Sequence, residues 1–244
     1  MSFFVSPKPW REASEHFLYF NMKFHVRGEK MSCAPNRKLV ALGPPATGRG
    51  YLELDLFISG IGGQGIQLIG KSLALAAIKD SRHVMLAGEY GGHMRGGSSI
   101  GTVVIGAKPL KALPILPHAG SAIAMSHLFW ERVGSRLRPG SFVLAEETIA
   151  ADLPDMEKHR LVKLPATAIA TELGSRMAAG MVMLGAFAAL TGAVKIDSAV
   201  AAMAEQIPSY RRQHIEANER AIRAGAASVT PMAFAVDLDA REVA

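Results

Sequence analysis

Residues 54–99 read LDLFISGIGGQGIQLIGKSLALAAIKDSRHVMLAGEYGGHMRGGSS. Two glycine-dense loops lie within them, GIGGQG at 60–65 and GEYGGHMRGG at 88–97, and each follows an apolar run of strand length. The first loop opens onto 67–79, where Leu68, Ile69, Leu73, Leu75, Ala76 and Ile78 recur at helical spacing. Strand, tight loop, helix, strand is the opening of a βαβ unit. Glycines gather where backbone turns with positive φ or approaches another group closely. A helix that starts after such a loop turns unpaired N–H groups outward. The two loops are therefore the candidate functional site.

Outward from this stretch the apolar runs predict further strands at 100–105, 121–125, 142–145 and 161–164, and a short helix over 128–137. From Pro165 onward the pattern turns helical, over 166–173, 177–190, 197–206 and 209–224, with Asp197 or Ser198 as the expected cap of the third helix. Strands alternating with helices predict an α/β fold, a Rossmann-like open sandwich with a mostly parallel sheet and a helical C-terminal portion. Residues 51–225 form the expected domain. Residues 1–50 carry five prolines and no sustained period, which predicts a poorly ordered N-terminal extension, and 226–244 read as a tail.

Composition narrows the function. The net charge is +6, but residues 1–50 hold eight Lys/Arg against three Glu, leaving nineteen Lys/Arg against eighteen Asp/Glu for the rest. A nearly neutral domain lacks the basic face that nucleic-acid binding requires. Residues 177–194 are free of charge, yet they are rich in Ala and Gly, which predicts a closely packed buried helix rather than a membrane span. The single cysteine, Cys33, rules out an intrachain disulfide and a cysteine-built metal or iron–sulfur site on this chain alone, and it fits a reducing, cytoplasmic setting. There is no HExxH motif. His93 is read as a surface or packing residue of the second loop, and Glu146-Glu147 as a solvated strand end.

On these residues alone two readings of the loops stand side by side. Gly60, Gly62 and Gly65 satisfy GxGxxG between a strand and a helix, and Glu89 near the end of the second strand completes a dinucleotide-binding context. That reading gives a stand-alone NAD(P)- or flavin-binding oxidoreductase. Alternatively, both loops are tight turns that pack against another chain, because Glu89 is embedded in a glycine-rich turn with Arg95 rather than at a plain strand end.

Taken together, Gly60-Ile61-Gly62-Gly63-Gln64-Gly65, Glu89-Tyr90-Gly91 and Arg95-Gly96-Gly97-Ser98 resemble the signature of the gamma subunit of 2-oxoacid:ferredoxin oxidoreductases. The similarity continues through Arg138-Pro139-Gly140, Pro165-Ala166-Thr167 and Met181-Val182-Met183-Leu184-Gly185-Ala186. It departs at Ala179-Gly180, where the family usually has Asn, and at Ala119-Gly120-Ser121, where it usually has Asp. The resemblance implies a subunit without a catalytic centre of its own, working in a complex that oxidatively decarboxylates a 2-oxoacid to an acyl-CoA. Thiamine diphosphate, Mg and iron–sulfur clusters are then expected on other subunits, with alpha and beta thiamine-binding subunits and a ferredoxin-like subunit or ferredoxin as partners. The resemblance also places Gly62, Gly63, Gln64, Gly65, Glu89, Arg95, Gly96, Gly97 and Ser98 at the face toward coenzyme A or those subunits. Arg95 is the expected bidentate contact to a phosphate or carboxylate, with Glu89 orienting it or pairing with a partner chain.

Overall fold

The computed structural model describes residues 2–5, 53–91, 96–111 and 115–231, the first of these as backbone only. Its centre is β2 (Glu53–Ile61). Leu54, Leu56 and Ile58 of this strand are buried on one face and Phe57 on the other, as a strand covered on both sides requires. After the first glycine loop comes α1 (Ile66–Lys79), then β3 (His83–Tyr90) and, after the second loop, β4 (Ser98–Gly106). The remaining strands are β5 (Ala119–Ala124), β6 (Leu137–Glu146) and β7 (Arg160–Leu164), and β1 (Ser2–Val5) lies along β3. The rest of the expected N-terminal extension, with Cys33, lies outside the described residues.

The sheet order is β1-β3-β4-β2-β5-β6-β7. β2 and β3 run in the same direction, as a βαβ unit demands, but β4 returns between them and pairs antiparallel with both. The connection from β3 to β4 is too short for a parallel crossover, so the returning strand must reverse. β5, β6 and β7 continue parallel to β2. Five of the seven strands (β2, β3, β5, β6 and β7) thus share one direction, while β1 and β4 oppose it.

The helices are unequally divided between the faces. α1, α3 (Ala166–Glu172), α4 (Ala179–Thr191), α5 (Ile196–Gln206) and α6 (Ile215–Ala227) all contribute to one core on Leu56, Ile58, Val103, Ile105 and Leu144. The other face holds Phe57, Ile100, Ala122, Val143 and Ala145 beneath Trp130, Ala150 and Leu153, covered among the described residues by the one-turn α2 (Glu131–Gly134) and two short 3-10 turns, Glu147–Ile149 and Met156–Lys158. The charge-free stretch becomes α4, buried along its length except at Ala189. Its Gly185 packs on the backbone of Ile222 in α6, and Gly225 of α6 packs on the backbone of Val182, so closely that a β-carbon at either position would overlap a carbonyl oxygen. Among the described residues no helix is long and apolar enough to cross a membrane.

Several local expectations are corrected. The helix expected over 128–137 is confined to α2, because Phe129 has φ +68° and Leu137 already pairs with Ala119 at the start of β6. The helix expected over 209–224 is a 3-10 turn, Ser209–His214, followed by α6. Neither Asp197 nor Ser198 caps α5; Asp80, at the end of α1, accepts hydrogen bonds from Lys195 N (2.7 Å) and Ser198 Oγ (2.5 Å). Glu146 is not solvated. It is 3% exposed, and its Oε2 accepts from both N and Oγ1 of Thr167 at 2.9 Å, tying β6 to the first turn of α3.

Candidate functional site

The two glycine loops meet at the carboxyl ends of β2 and β3. Gly62 N donates to Gly97 O at 2.9 Å, and Gly91 N donates to Ser98 O at 2.7 Å to close the second loop. Gly63 (φ +104°) and Gly65 (φ +78°) occupy backbone conformations that a β-carbon disfavours, and Gly96 (φ +71°) does the same across the gap. A β-carbon at any of these three would point into open space. The loops therefore present bare backbone outward. Gly62 differs, since a β-carbon there would lie 3.6 Å from Gly96 N, an ordinary contact.

The polar residues of the loops divide between inward and outward roles. Gln64 turns inward: its Oε1 accepts from Ile61 N at 2.9 Å and its Nε2 donates to Met125 O at 2.8 Å, bridging the first loop to the end of β5. Gln67, in the first turn of α1, donates to Ser99 Oγ (3.2 Å) and Ile100 O (3.1 Å), so the helix start also holds the beginning of β4, just past the second loop. Among the described residues no side chain caps α1, and no acid lies in its first turn, so none of them offsets the partial positive charge of its N-terminus. The start of α4 closes on the same loop: a β-carbon on Gly180 would lie 2.9 Å from Gln64 O. That contact gives a geometric reason for glycine at 180, beside the departure at Ala179-Gly180.

Glu89 and Ser98 share one partner. Arg132 Nη2 donates to Glu89 Oε2 and Arg132 Nη1 to Ser98 Oγ, each at 3.2 Å. Ser98 is buried, whereas the Glu89 and Arg132 side chains are about half exposed. Arg95, the expected anion contact, and His93 lie outside the described residues. Arg132 and Gln67 stand outside the two glycine motifs. Gln67 was visible as a polar residue in the first turn after a glycine loop, but Arg132 reaches its partners from 34 and 43 residues away and carries no local signal.

Tyr90 (69% exposed) in the second loop, Leu128 (49%) and Phe129 (42%) just before α2, and Met177 (53%) just before α4 are exposed apolar side chains. Among the described residues no three His, Cys, Asp or Glu side chains stand close enough to hold a metal ion. The chemistry on offer is backbone N–H groups, a helix N-terminus and a tethered guanidinium, all suited to binding and positioning.

Residues 55–228 match the family model described as pyruvate ferredoxin/flavodoxin oxidoreductase. The chain belongs to that family. The ketoisovalerate oxidoreductase subunit VorA of Methanothermobacter marburgensis is 34% identical over 140 residues, covering 57% of this chain and 29% of that one. The 2-oxoglutarate synthase subunit KorC of Methanocaldococcus jannaschii is 30% identical over 161 residues, covering 64% of this chain and 85% of that one. The chain thus spans less than a third of VorA and most of KorC. Among solved structures, the gamma subunit of a keto/oxoacid ferredoxin oxidoreductase from Geobacter sulfurreducens superposes with a TM-score of 0.62 at 26% identity, covering 72% of this chain and 95% of that one. The relatives of this family member are oxidoreductase subunits, and the α/β fold is that of a gamma subunit. None of the comparisons supports the NAD(P) or flavin alternative. Geometry opposes it too: Gly62 is held against the second loop, and Glu89, the residue a ribose would need, is paired with Arg132.

Proposed function

We propose that this chain is the gamma-type subunit of a thiamine-diphosphate-dependent 2-oxoacid:ferredoxin oxidoreductase, active only in complex and working in the cytoplasm. One observation carries the reading beyond family membership. The two loops of the family signature interlock through Gly62 N and Gly97 O into a single face at the carboxyl edge of the sheet. In this reading that face is presented to coenzyme A and to the alpha and beta subunits. Gly63, Gly65 and Gly96 leave the backbone bare for close approach, and the start of α1 near Ile66 and Arg95 meet an anionic group. Glu89 and Ser98 hold the loop ends, and Gln64 fixes the first loop from inside.

In this reading thiamine diphosphate, Mg and the iron–sulfur clusters belong on partner subunits. Thiamine diphosphate, when bound there, supplies the decarboxylation chemistry. This chain contributes shape, exclusion of water and a ligand-facing backbone. Co-expression with candidate thiamine-binding and ferredoxin-like subunits tests the reading. The expected result is a copurifying complex that reduces ferredoxin with a 2-oxoacid only when coenzyme A and this chain are both present. A monomeric chain with no effect on 2-oxoacid oxidation by the other subunits would sink it.

A further inference from the structure

We infer that Arg132 is a positioning residue that sets the ends of the second glycine loop, and that the backbone turn at Phe129 aims it. Glu89 stands near the end of β3 and Ser98 opens β4, so the two hydrogen bonds from Arg132 span the strands that the loop connects. A guanidinium offers several donors in a fixed planar fork, so one side chain holds both positions at once; an ammonium is a point charge on a flexible stem.

The support beneath Arg132 is buried and closely packed. Trp130 is 1% exposed in the core of the thinly covered face, and Gly134 lies against its indole, where a β-carbon would come within 2.6 Å of Nε1. Between the carboxyl end of β5 and this anchor the chain passes through Phe129, whose φ of +68° is disfavoured for any residue with a β-carbon. The Phe129 ring is 42% exposed, so its own burial does not hold it in that conformation. Strain of this kind persists where the surroundings over-determine it, and it gathers at functional sites. Here the reversal sends Trp130 into the core while Arg132, two residues on, reaches the loop, and Phe129 O accepts from Arg132 N at 3.2 Å.

This inference rests on the proposed role of the loop face, and the test separates the two. Amide exchange is followed on the whole chain for wild type, Arg132→Ala and Arg132→Lys. Steady-state kinetics are measured on the reconstituted complex. In Arg132→Ala, exchange at residues 88–91 and 96–99 is expected to rise about tenfold while α4 stays protected. KM for coenzyme A is expected to rise about fivefold with kcat nearly unchanged, the pattern of lost positioning rather than lost chemistry. Arg132→Lys is expected to recover only part of either effect. Unchanged exchange in Arg132→Ala, full recovery in Arg132→Lys, or a uniform rise across the chain would each overturn the inference. A wild-type complex with no 2-oxoacid oxidation would instead sink the proposed function, and the exchange measurements would still decide the role of Arg132.

Discussion

At the residue scale, glycines in the same signature answer to different constraints. Gly65 is fixed by its φ of +78°, whereas Gly62 has room for a β-carbon 3.6 Å from Gly96 N. Gly65→Ala is therefore expected to destabilise the fold by about 1–2 kcal/mol. Gly62→Ala is expected to stay within about 0.5 kcal/mol of wild type, as small substitutions that meet no clash do. Urea midpoints of the two variants check the contrast, and equal losses would refute the assignment. His159 gives a second residue-scale prediction. Burial lowers its pKa below the usual histidine range, and its buried Nδ1 has no hydrogen-bond partner among the described residues. The unfolded chain then takes up the proton first as pH falls, so stability is present above about pH 6.5 and is lost as the pH drops through the folded-state pKa. Urea midpoints measured between about pH 8 and 5 should fall toward acid, and His159→Gln should flatten that slope. How much of the site is legible in sequence follows from the same distinction. Both loops are visible because glycine density is a local signal. Arg132 is invisible because 34 and 43 residues separate it from its partners, and Glu146 is misread because the hydroxyl and amide that bury it arrive 21 residues later with Thr167.

At the scale of elements, residue period shows which segments are strands but not which way they run. The apolar runs of β2, β3 and β4 are equally compatible with a parallel or an interposed antiparallel arrangement, and the short β3–β4 connection forces the second. The helical layer is more legible. The absence of charge across 177–194 and its richness in small residues indicate a helix that neighbours approach closely, and α4 meets α6 at Gly185 and Gly225. Adding a methyl at Gly225 forces two helix backbones apart. Gly225→Ala is expected to cost about 1–3 kcal/mol, the range for overpacking a core. Its thermal midpoint should drop by several degrees, whereas Ala227→Ser, at an exposed position at the end of the same helix, should not shift it appreciably. Equal shifts would mean that the helices are free to slide apart.

At the scale of the whole molecule, the division of cover between the two faces directs where partners approach. One face is sealed by five helices, and the other by Trp130, Leu153 and short turns. The carboxyl edge keeps exposed apolar side chains at Tyr90, Leu128, Phe129 and Met177, beside loops whose glycines open onto empty space. Leu128 and Phe129 contribute little to the core of this chain, so replacing them should not unfold it. If the edge seats against the catalytic subunits, however, each ring or branch buried there contributes about 1.5–3 kcal/mol to association, and a buried carboxylate would oppose it. The double variant Leu128→Asp/Phe129→Asp is expected to keep a thermal midpoint close to that of wild type while losing copurification with the alpha and beta subunits at ordinary salt. An equivalent double change on the opposite, amino edge, at exposed Ile115 and Lys111, should leave the complex intact. Loss of the complex with the amino-edge variant, or its retention with the carboxyl-edge one, would move the docking face away from the glycine loops.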